Sequence, residues 1–234
     1  MIDFPFSIPN QPDDETCGVA CLLGVYQYFG MKEDFESLLQ EVEMLDSGGT
    51  LSVNLGIHAL KNNFEVTLNS YNLQLFDPSW SRLAVGDLVT KLRQQMVEKS
   101  YDSKLIAASR AFIDYLELGG DIRFGDFSLE HLKSYVDKKI PVVVGLSSTF
   151  LYQSKREIPE TTESDDIKGY PAGHFVVLNG YKDDGQQISV CDPYRGNPFS
   201  KGENPYLVDR DHLLTSIFLG ILTYDANFLI IKPK

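Results

Sequence analysis

Hydrophobic residues in the first part of the chain recur at helical spacing. From Cys17 onward they repeat every three or four positions up to Gly30, a residue type at which helices commonly end. The same spacing predicts a second helix within residues 35–45 and a third that begins near Ser52. Strict alternation of apolar and polar residues at 64–68 then predicts a strand.

The segment 71–120 continues the helical pattern. Its leucine, methionine and aromatic residues lie at three- and four-residue intervals, which predict two further helices. We interpret this segment as a helical insertion, or as an extension of the helical part of the fold.

The second half of the chain has the patterns of a sheet. A short apolar run at 141–146 is typical of a buried strand. Two further runs, 175–181 and 187–192, flank the turn sequence Asp-Asp-Gly at 183–185, which favours a hairpin. Residues 228–231 predict a last strand. Helices first and an antiparallel sheet second predict an α+β fold.

The composition is that of an ordinary globular protein, with 43% hydrophobic and 23% charged residues in a chain of 234. This length favours one domain, residues 1–234, with insertions. No run of about 18 apolar residues occurs, so the sequence predicts no membrane span. Residues 1–10 lack the basic start and apolar stretch of a secretory signal, and we therefore expect a cytoplasmic protein.

The formal net charge of -12 opposes binding to nucleic acid, because the phosphates are also negative. This charge suits a neutral or basic substrate, but it also serves solubility alone. The same alternatives apply to the acidic residues 13–15, which either recognise a basic substrate group or form a solvated loop. Three cysteines in a chain without a visible leader predict free thiols rather than disulfides.

One cysteine lies where a helix is predicted to begin. The first turn of a helix has unpaired backbone N–H groups and the positive end of the helix dipole, which favour an anionic sulfur at Cys17. Gly18 leaves the backbone beside that sulfur unobstructed. The side-chain amide of Gln11 and the Cys17 N–H are candidates for a two-donor oxyanion hole. A buried structural cysteine preceded by a surface glutamine is the alternative.

A histidine and an aspartate are predicted to lie at the same end of the hairpin. His174 opens one strand, where a neutral imidazole can take a thiol proton and later protonate a leaving amine. Asp192, at the end of the partner strand, can accept a hydrogen bond from that ring and fix its tautomer. The alternatives are a histidine that satisfies a strand end and an Asp-Pro turn at residues 192–193.

The remaining cysteines and histidines do not indicate a metal or cofactor. Cys21 lies one helical turn after Cys17, whereas zinc sites favour Cys-x-x-Cys pairs with two further ligands. We expect Cys21 and Cys191 to be core residues and no metal to be bound. The other histidines lie in predicted helices without a partner motif and are expected at the surface or as helix caps; they are His58, His131 and His212.

In combination, these motifs resemble those of the papain-like C39 and C39-like peptidases, which include leader-peptide proteases of bacteriocin exporters and many stand-alone bacterial proteins. The resemblance touches about half of the chain, mainly its start and its later part, and the motifs are more specific jointly than singly. It rests on Gln11, Cys17-Gly18, Ala20-Cys21-Leu22, Gly173-His174-Phe175-Val176-Val177 and Asp192-Pro193, with weaker similarity over 133–145.

The resemblance implies a papain-like fold in which a helical N-terminal half packs on an antiparallel sheet from the C-terminal half. It implies that Cys17 is the nucleophile, His174 the general base, Asp192 the residue that orients the histidine and Gln11 the oxyanion donor. Substrate contacts are expected at Gly18 and Gly173. The implied reaction is hydrolysis of a peptide or other amide through a thioester acyl-enzyme on Cys17.

Alternatives to hydrolysis are acyl transfer to an amine or thiol, as in phytochelatin-synthase-like proteins, and a peptide-binding module without turnover. The expected partner is a peptide or small amide, and the oligomeric state is left open. Segments 71–120 and 147–173 look longer than the family core, and no transporter domains occur in the sequence. Specificity for leader peptides ending in two glycines is therefore not implied. A loop as long as 147–173 is typically functional, and we expect it to border the cleft and gate access.

Overall fold

A computed structural model describes residues 1–45, 48–125, 128–159, 161–200 and 203–234. Within these ranges the helices are α1 Cys17–Tyr28, α2 Phe35–Glu41, α3 Ser52–Lys61, α4 Val85–Glu98, α5 Ser103–Glu117, α6 Leu129–Val136, α7 Ser148–Tyr152 and α8 Arg210–Leu219. The strands are β1 Ile2–Asp3, β2 Phe64–Ser70, β3 Asp121–Arg123, β4 Val142–Ser147, β5 Gly173–Lys182, β6 Gln187–Cys191, β7 Tyr206–Asp209 and β8 Asn227–Pro233.

The strands form one sheet in the order β3-β2-β8-β4-β5-β6-β7, and β1 also pairs with β5. All the pairs are antiparallel except β2 with β3. This arrangement confirms the predicted α+β class. The sheet nevertheless includes β1 and β2 from the first half of the chain, because β2 pairs along its whole length with the last strand, β8.

Helices cover both faces of the sheet. One face carries a cluster of buried apolar residues contributed by α1 to α5, including Leu22 and Leu55. The other face packs against α6 and α8 through residues such as Leu132 and Ile217. The central strand β4 is buried on both faces, which explains its uninterrupted apolar sequence.

The hairpin β5–β6 positions the chemically interesting residues. Its register pairs Val177 with Cys191 and Lys182 with Gln187. The turn between the strands has left-handed backbone at Asp183, Asp184 and Gly185, residue types that adopt positive φ at low cost. A register shift between Leu178 and Gly180 introduces an irregularity that the sequence pattern does not indicate.

Several elements differ from the sequence-based expectations. Helix α2 ends at Glu41, short of the predicted residue 45, because Val42 adopts an extended backbone. The first five residues after Ser147 form helix α7, so the long loop runs from 153 to 172. Segment 71–120 contains α4 and α5, and its status as an insertion stays a prediction. In the described part of the chain, no helix combines the length and apolar character needed to cross a membrane.

Tyr115 joins the helical layer to the edge of the sheet, and its removal tests that connection. The fully buried hydroxyl lies 3.1 Å from the carbonyl oxygen of Val66 and 2.8 Å from that of Asp121. We expect Tyr115→Phe to lower the free energy of unfolding by about 1 kcal/mol, since the donor is lost while both acceptors remain buried. Urea denaturation measures this change.

The matched control is Tyr101→Phe, because Tyr101 is 84% exposed. The control should unfold at the same urea concentration as the unchanged protein. Equal midpoints for both variants would show that the Tyr115 hydroxyl contributes nothing to the stability of this layer.

Candidate active site

Cys17 is the first residue of helix α1 and is 8% exposed. The residue before it, Thr16, caps the helix without a side-chain hydrogen bond, although its carbonyl accepts from the Ala20 N–H. The backbone N–H groups of the first helical turn therefore donate to no side chain of the capping residue. They point towards the N-terminal end of the helix, where Cys17 lies. This position favours negative charge on the sulfur.

Gly18 is required by close packing behind the cysteine. A methyl group there would lie 2.8 Å from Thr50 Cγ2 and 3.2 Å from Phe175 Cδ2. The absent side chain thus lets α1 approach the β5 strand. The residue is buried, and its expected contact with substrate stays a prediction.

His174 lies on β5 opposite Leu146 of β4 and is 6% exposed. Its ring nitrogen Nε2 lies 2.9 Å from Asp192 Oδ1. The Cys17 side chain lies close enough to this ring to raise the pKa of His174. The imidazole is thus bonded to the carboxylate and lies near the sulfur, two groups that come from distant parts of the chain.

The charges around His174 favour the imidazolium form. Burial by itself would lower the pKa of His174, but the Asp192 carboxylate and the Cys17 sulfur oppose it through charge and hydrogen bonds. The effects of these two partners outweigh that of burial, so the pKa of His174 lies well above its ordinary value. A protonated imidazole next to sulfur is the charge state that stabilises a thiolate.

Asp192 is fully buried and is held by four hydrogen bonds. Oδ1 accepts from His174 and from the backbone N–H of Tyr194, at 2.9 Å each. Oδ2 accepts from the hydroxyl of Tyr152 at 2.7 Å and from that of Tyr206 at 2.6 Å. Burial raises the pKa of this carboxyl, yet the charge of His174 and the hydrogen bonds outweigh burial and lower it. Asp192 is therefore ionised at neutral pH.

Tyr152, Tyr206 and Asn204 are functional neighbours that the sequence did not reveal. Asn204 accepts from the Asp192 N–H at 3.1 Å and donates to its carbonyl at 2.9 Å. Tyr206 belongs to strand β7, where it pairs with Val190 of the neighbouring strand β6. Finding Tyr206 requires the β6–β7 register, for which the sequence has no local signal.

Gln11 is placed next to the segment that follows Asp192. Its backbone N–H donates to the Pro193 carbonyl at 3.1 Å, and Arg195 pins the preceding residues through Asn10 and Ile8. The side-chain Nε2 donates to the Asp13 carbonyl at 2.8 Å. An amide nitrogen carries two hydrogens, so one donor remains for a ligand.

Gly173 precedes His174 at the exposed start of β5. The side-chain position of this glycine is occupied by the Asp225 carboxyl, from the segment before β8. Asp225 was missed in the sequence, since nothing in its local pattern distinguishes it from a loop residue. The predicted substrate contact at Gly173 stays a prediction.

The other cysteines are core residues, as their placement in the sequence suggests. Cys21 and Cys191 are 0% and 1% exposed, and burial, the largest cause, raises the pKa of both thiols. The surface position expected of His58 is wrong. This residue is buried and bonds through its two ring nitrogens to Tyr26 at 2.7 Å and to Glu41 at 3.0 Å. Among the residues whose positions are described, no cluster of three or more His, Cys, Asp or Glu side chains is arranged to bind a metal.

The sequence model of the Peptidase_C39 like family matches residues 2–210 of the chain. No curated protein matches the sequence significantly.

Solved structures of peptidases have a similar course over nearly the whole chain. The peptidase domain of Streptococcus ComA, a bifunctional ABC transporter, is 12% identical with a TM-score of 0.47, covering 98% of this chain and 100% of that one. A protein described as a C39-like peptidase from Bacillus anthracis is 17% identical with a TM-score of 0.49, covering 98% and 94%. Xylellain, a cysteine protease from Xylella fastidiosa, is 16% identical with a TM-score of 0.41, covering 100% and 85%.

The ion pair between His174 and Asp192 makes stability depend on pH. The raised pKa of His174 stabilises the folded state below the ordinary imidazole pKa, and this contribution disappears as pH rises through the folded value. The lowered pKa of Asp192 contributes above the ordinary carboxyl pKa and is lost at acid pH. We expect Asp192→Asn to lower the free energy of unfolding by on the order of 3 kcal/mol at pH values between the ordinary carboxyl pKa and the ordinary imidazole pKa. Outside this pH range the loss should be smaller.

Unfolding free energies of both proteins, measured across pH, give this difference directly. The control Asp87→Asn changes an exposed carboxyl on α4 and should leave the difference near zero at every pH. A deficit for Asp192→Asn that does not vary with pH would contradict an ion pair.

Proposed function

The chain belongs to the Peptidase_C39 like family, a family of cysteine peptidases, and on that premise we propose that it hydrolyses peptide or other amide bonds through an acyl-enzyme on Cys17. In this proposal His174 is the acid and base, Asp192 orients it, and Gln11 stabilises the oxyanion. The observation that carries the proposal is the 2.9 Å bond between His174 and Asp192, together with Cys17 at the start of α1, close enough to raise the pKa of His174.

The first half-reaction transfers the acyl group to sulfur. The Cys17 thiolate attacks the carbonyl carbon, and the developing oxyanion accepts hydrogen bonds from the Cys17 N–H and the Gln11 amide. The His174 imidazolium donates its proton to the amide nitrogen, whose bond to carbon breaks. An amine leaves, and a thioester and a neutral imidazole remain.

The second half-reaction returns the enzyme to its starting state. Neutral His174 takes a proton from water, and the resulting hydroxide attacks the thioester carbon. The carbon–sulfur bond breaks, releasing a carboxylic acid and the Cys17 thiolate, and the imidazolium is restored. Asp192 stays ionised throughout, so it holds the imidazole orientation while the ring gains and loses its proton.

Acyl transfer differs from hydrolysis only in the second nucleophile. An amine or a thiol would take the acyl group in place of water, with the same residues in the same roles. The partition of products between water and an added amine separates these two reactions. A peptide-binding module without turnover is disfavoured, because cysteine, histidine and carboxylate are all present, with the carboxylate bonded to the histidine and the cysteine near it.

Selective reaction of Cys17 with iodoacetamide tests the nucleophile. Near pH 6–7 we expect Cys17 to be labelled at least about tenfold faster than Cys21 or Cys191, since those two thiols are buried and their pKa values are raised. Digestion and mass spectrometry of timed samples measure the three rates. In His174→Ala the advantage of Cys17 should disappear, because the imidazolium that stabilises the thiolate is removed.

Turnover of a quenched fluorescent peptide, chosen from a library with the unchanged protein, completes this test. Cys17→Ala should abolish cleavage, and His174→Ala should lower kcat/KM about 10²–10⁴-fold. Equal labelling of the three cysteines, or cleavage that survives Cys17→Ala, would refute the proposal.

Gln11→Ala separates oxyanion stabilisation from thiol activation. We expect kcat for the same peptide to fall about 10²–10³-fold, since one donor to the transition state is lost. The rate of iodoacetamide labelling at Cys17 should stay within about twofold, because alkylation forms no oxyanion. A kcat that is unchanged would remove Gln11 from the mechanism.

A further inference from the structure

A second buried carboxyl lies beside the proposed catalytic histidine and takes no part in the mechanism above. Asp225 is 6% exposed and lies two residues before strand β8. Its Oδ2 accepts a hydrogen bond from the Thr223 hydroxyl at 2.6 Å. Among the side chains described, no other donates to this carboxyl, which therefore has far fewer partners than Asp192.

The backbone of two neighbouring strands makes room for this carboxyl. A methyl group at Gly145 would lie 2.8 Å from Asp225 Cβ, and a methyl group at Gly173 would collide with Asp225 Oδ2. Gly173 is exposed and is the residue directly before His174. The Asp225 carboxyl thus occupies the side-chain position next to the proposed base, just below the exposed backbone of Gly173.

Two positively charged side chains influence Asp225 from a distance, and neither of them forms an ion pair with it. Lys104 of α5 and His174 of β5 are close enough to lower the pKa of Asp225, together with the Thr223 hydrogen bond. Burial is the largest influence and raises this pKa to about 7. Lys104 also lies 5.2 Å above the ring of Tyr224. A desolvated carboxyl with a single donor is stabilised when a cation approaches it.

Other carboxylates face the same region from separate elements. Glu157, in the loop before β5, is half-buried and lies within electrostatic range of both Asp14 and His174. Asp14 belongs to the exposed segment before Cys17. Together with the net charge of -12, these residues give the surroundings of His174 a negative potential that attracts cations.

We propose that Asp225, beside Gly173, forms a subsite for a positively charged group of the substrate, either a lysine or arginine side chain or a free amino terminus. This inference rests on the proposed function of Cys17, and it narrows the substrate class to basic peptides. The subsite acts on selection of substrate and not on the bond-breaking steps.

Inactivation by peptidyl acyloxymethyl ketones, which alkylate a catalytic cysteine, tests the subsite. Paired tripeptide probes carry lysine or norleucine at the first, second or third residue before the electrophile, with a blocked or a free amino terminus. At one position, or with the free terminus alone, the charged probe should react about tenfold faster than its neutral partner. The separate arms distinguish a side chain from an amino terminus as the source of charge.

Asp225→Asn should lower the rate for the preferred charged probe about tenfold and change the neutral probe by less than about threefold. Asp87→Asn on α4 is the control and should keep the full preference. Thermal unfolding of each variant confirms that it is folded.

The pH dependence of the ratio between charged and neutral probes gives a readout that a purely structural role would not move. Because the folded pKa of Asp225 is about 7, the carboxyl is neutral below that pH and charged above it. The ratio should therefore rise between about pH 6 and about pH 8, while the pH dependence of the alkylation itself cancels because both probes react at the same sulfur. Thr223→Val removes the donor that lowers this pKa and should move the rise to higher pH.

Equal rates for every charged and neutral pair, with Cys17 still alkylated by both, would overturn the subsite and leave the proposed function intact. Failure of all the probes and of iodoacetamide to react selectively at Cys17 would overturn both. A preference for charged probes that survives Asp225→Asn would also exclude Asp225 as its source.

Discussion

The proposed active site depends on keeping one carboxylate ionised inside the protein. A buried carboxylate is strongly destabilising unless it is paired and fully hydrogen-bonded. Asp192 meets this requirement through an imidazole, a backbone N–H and two tyrosine hydroxyls. Because its negative charge is fixed, the ring of His174 is held with it, close enough to Cys17 for the two groups to influence each other.

That requirement explains why the proposed catalytic residues lie where the sheet is most constrained. His174 and Asp192 belong to a hairpin whose strand β5 is paired on both sides, with β4 and with β6. Tyr206 reaches the carboxylate from β7 and Tyr152 from the helix after β4. Each donor thus stands on a regular element or next to one. Only Gln11 comes from an irregular segment, and backbone and arginine contacts to residues 193–195 hold that segment.

The sequence was informative wherever local pattern and chemistry coincided. Cys17 at a helix start, and the paired apolar runs around residues 183–185, are local signals, and the structure brings Cys17, His174 and Asp192 together. The partners of Asp192 were not predictable, because they depend on register between strands far apart in sequence. The same holds for Asp225, which reaches Gly173 only through the pairing of β8 with β4. His58 was misplaced because burial of a polar ring depends on partners, Tyr26 and Glu41, from other helices.

Two aspartates beside one histidine show how donors decide the charge of a buried carboxyl. Both are buried, yet the charge of His174 and the hydrogen bonds lower the pKa of Asp192, whereas burial outweighs a single hydrogen bond and more distant charges and raises the pKa of Asp225. Burial raises the pKa of both carboxyls, so Asp192 stays charged through its direct contact with the imidazole and its larger set of hydrogen bonds. Asp192 has the hydrogen-bond donors and the imidazolium that it needs to remain charged, whereas Asp225 lacks an equivalent set of partners. A cation from outside the chain is the partner that would complete that second carboxyl.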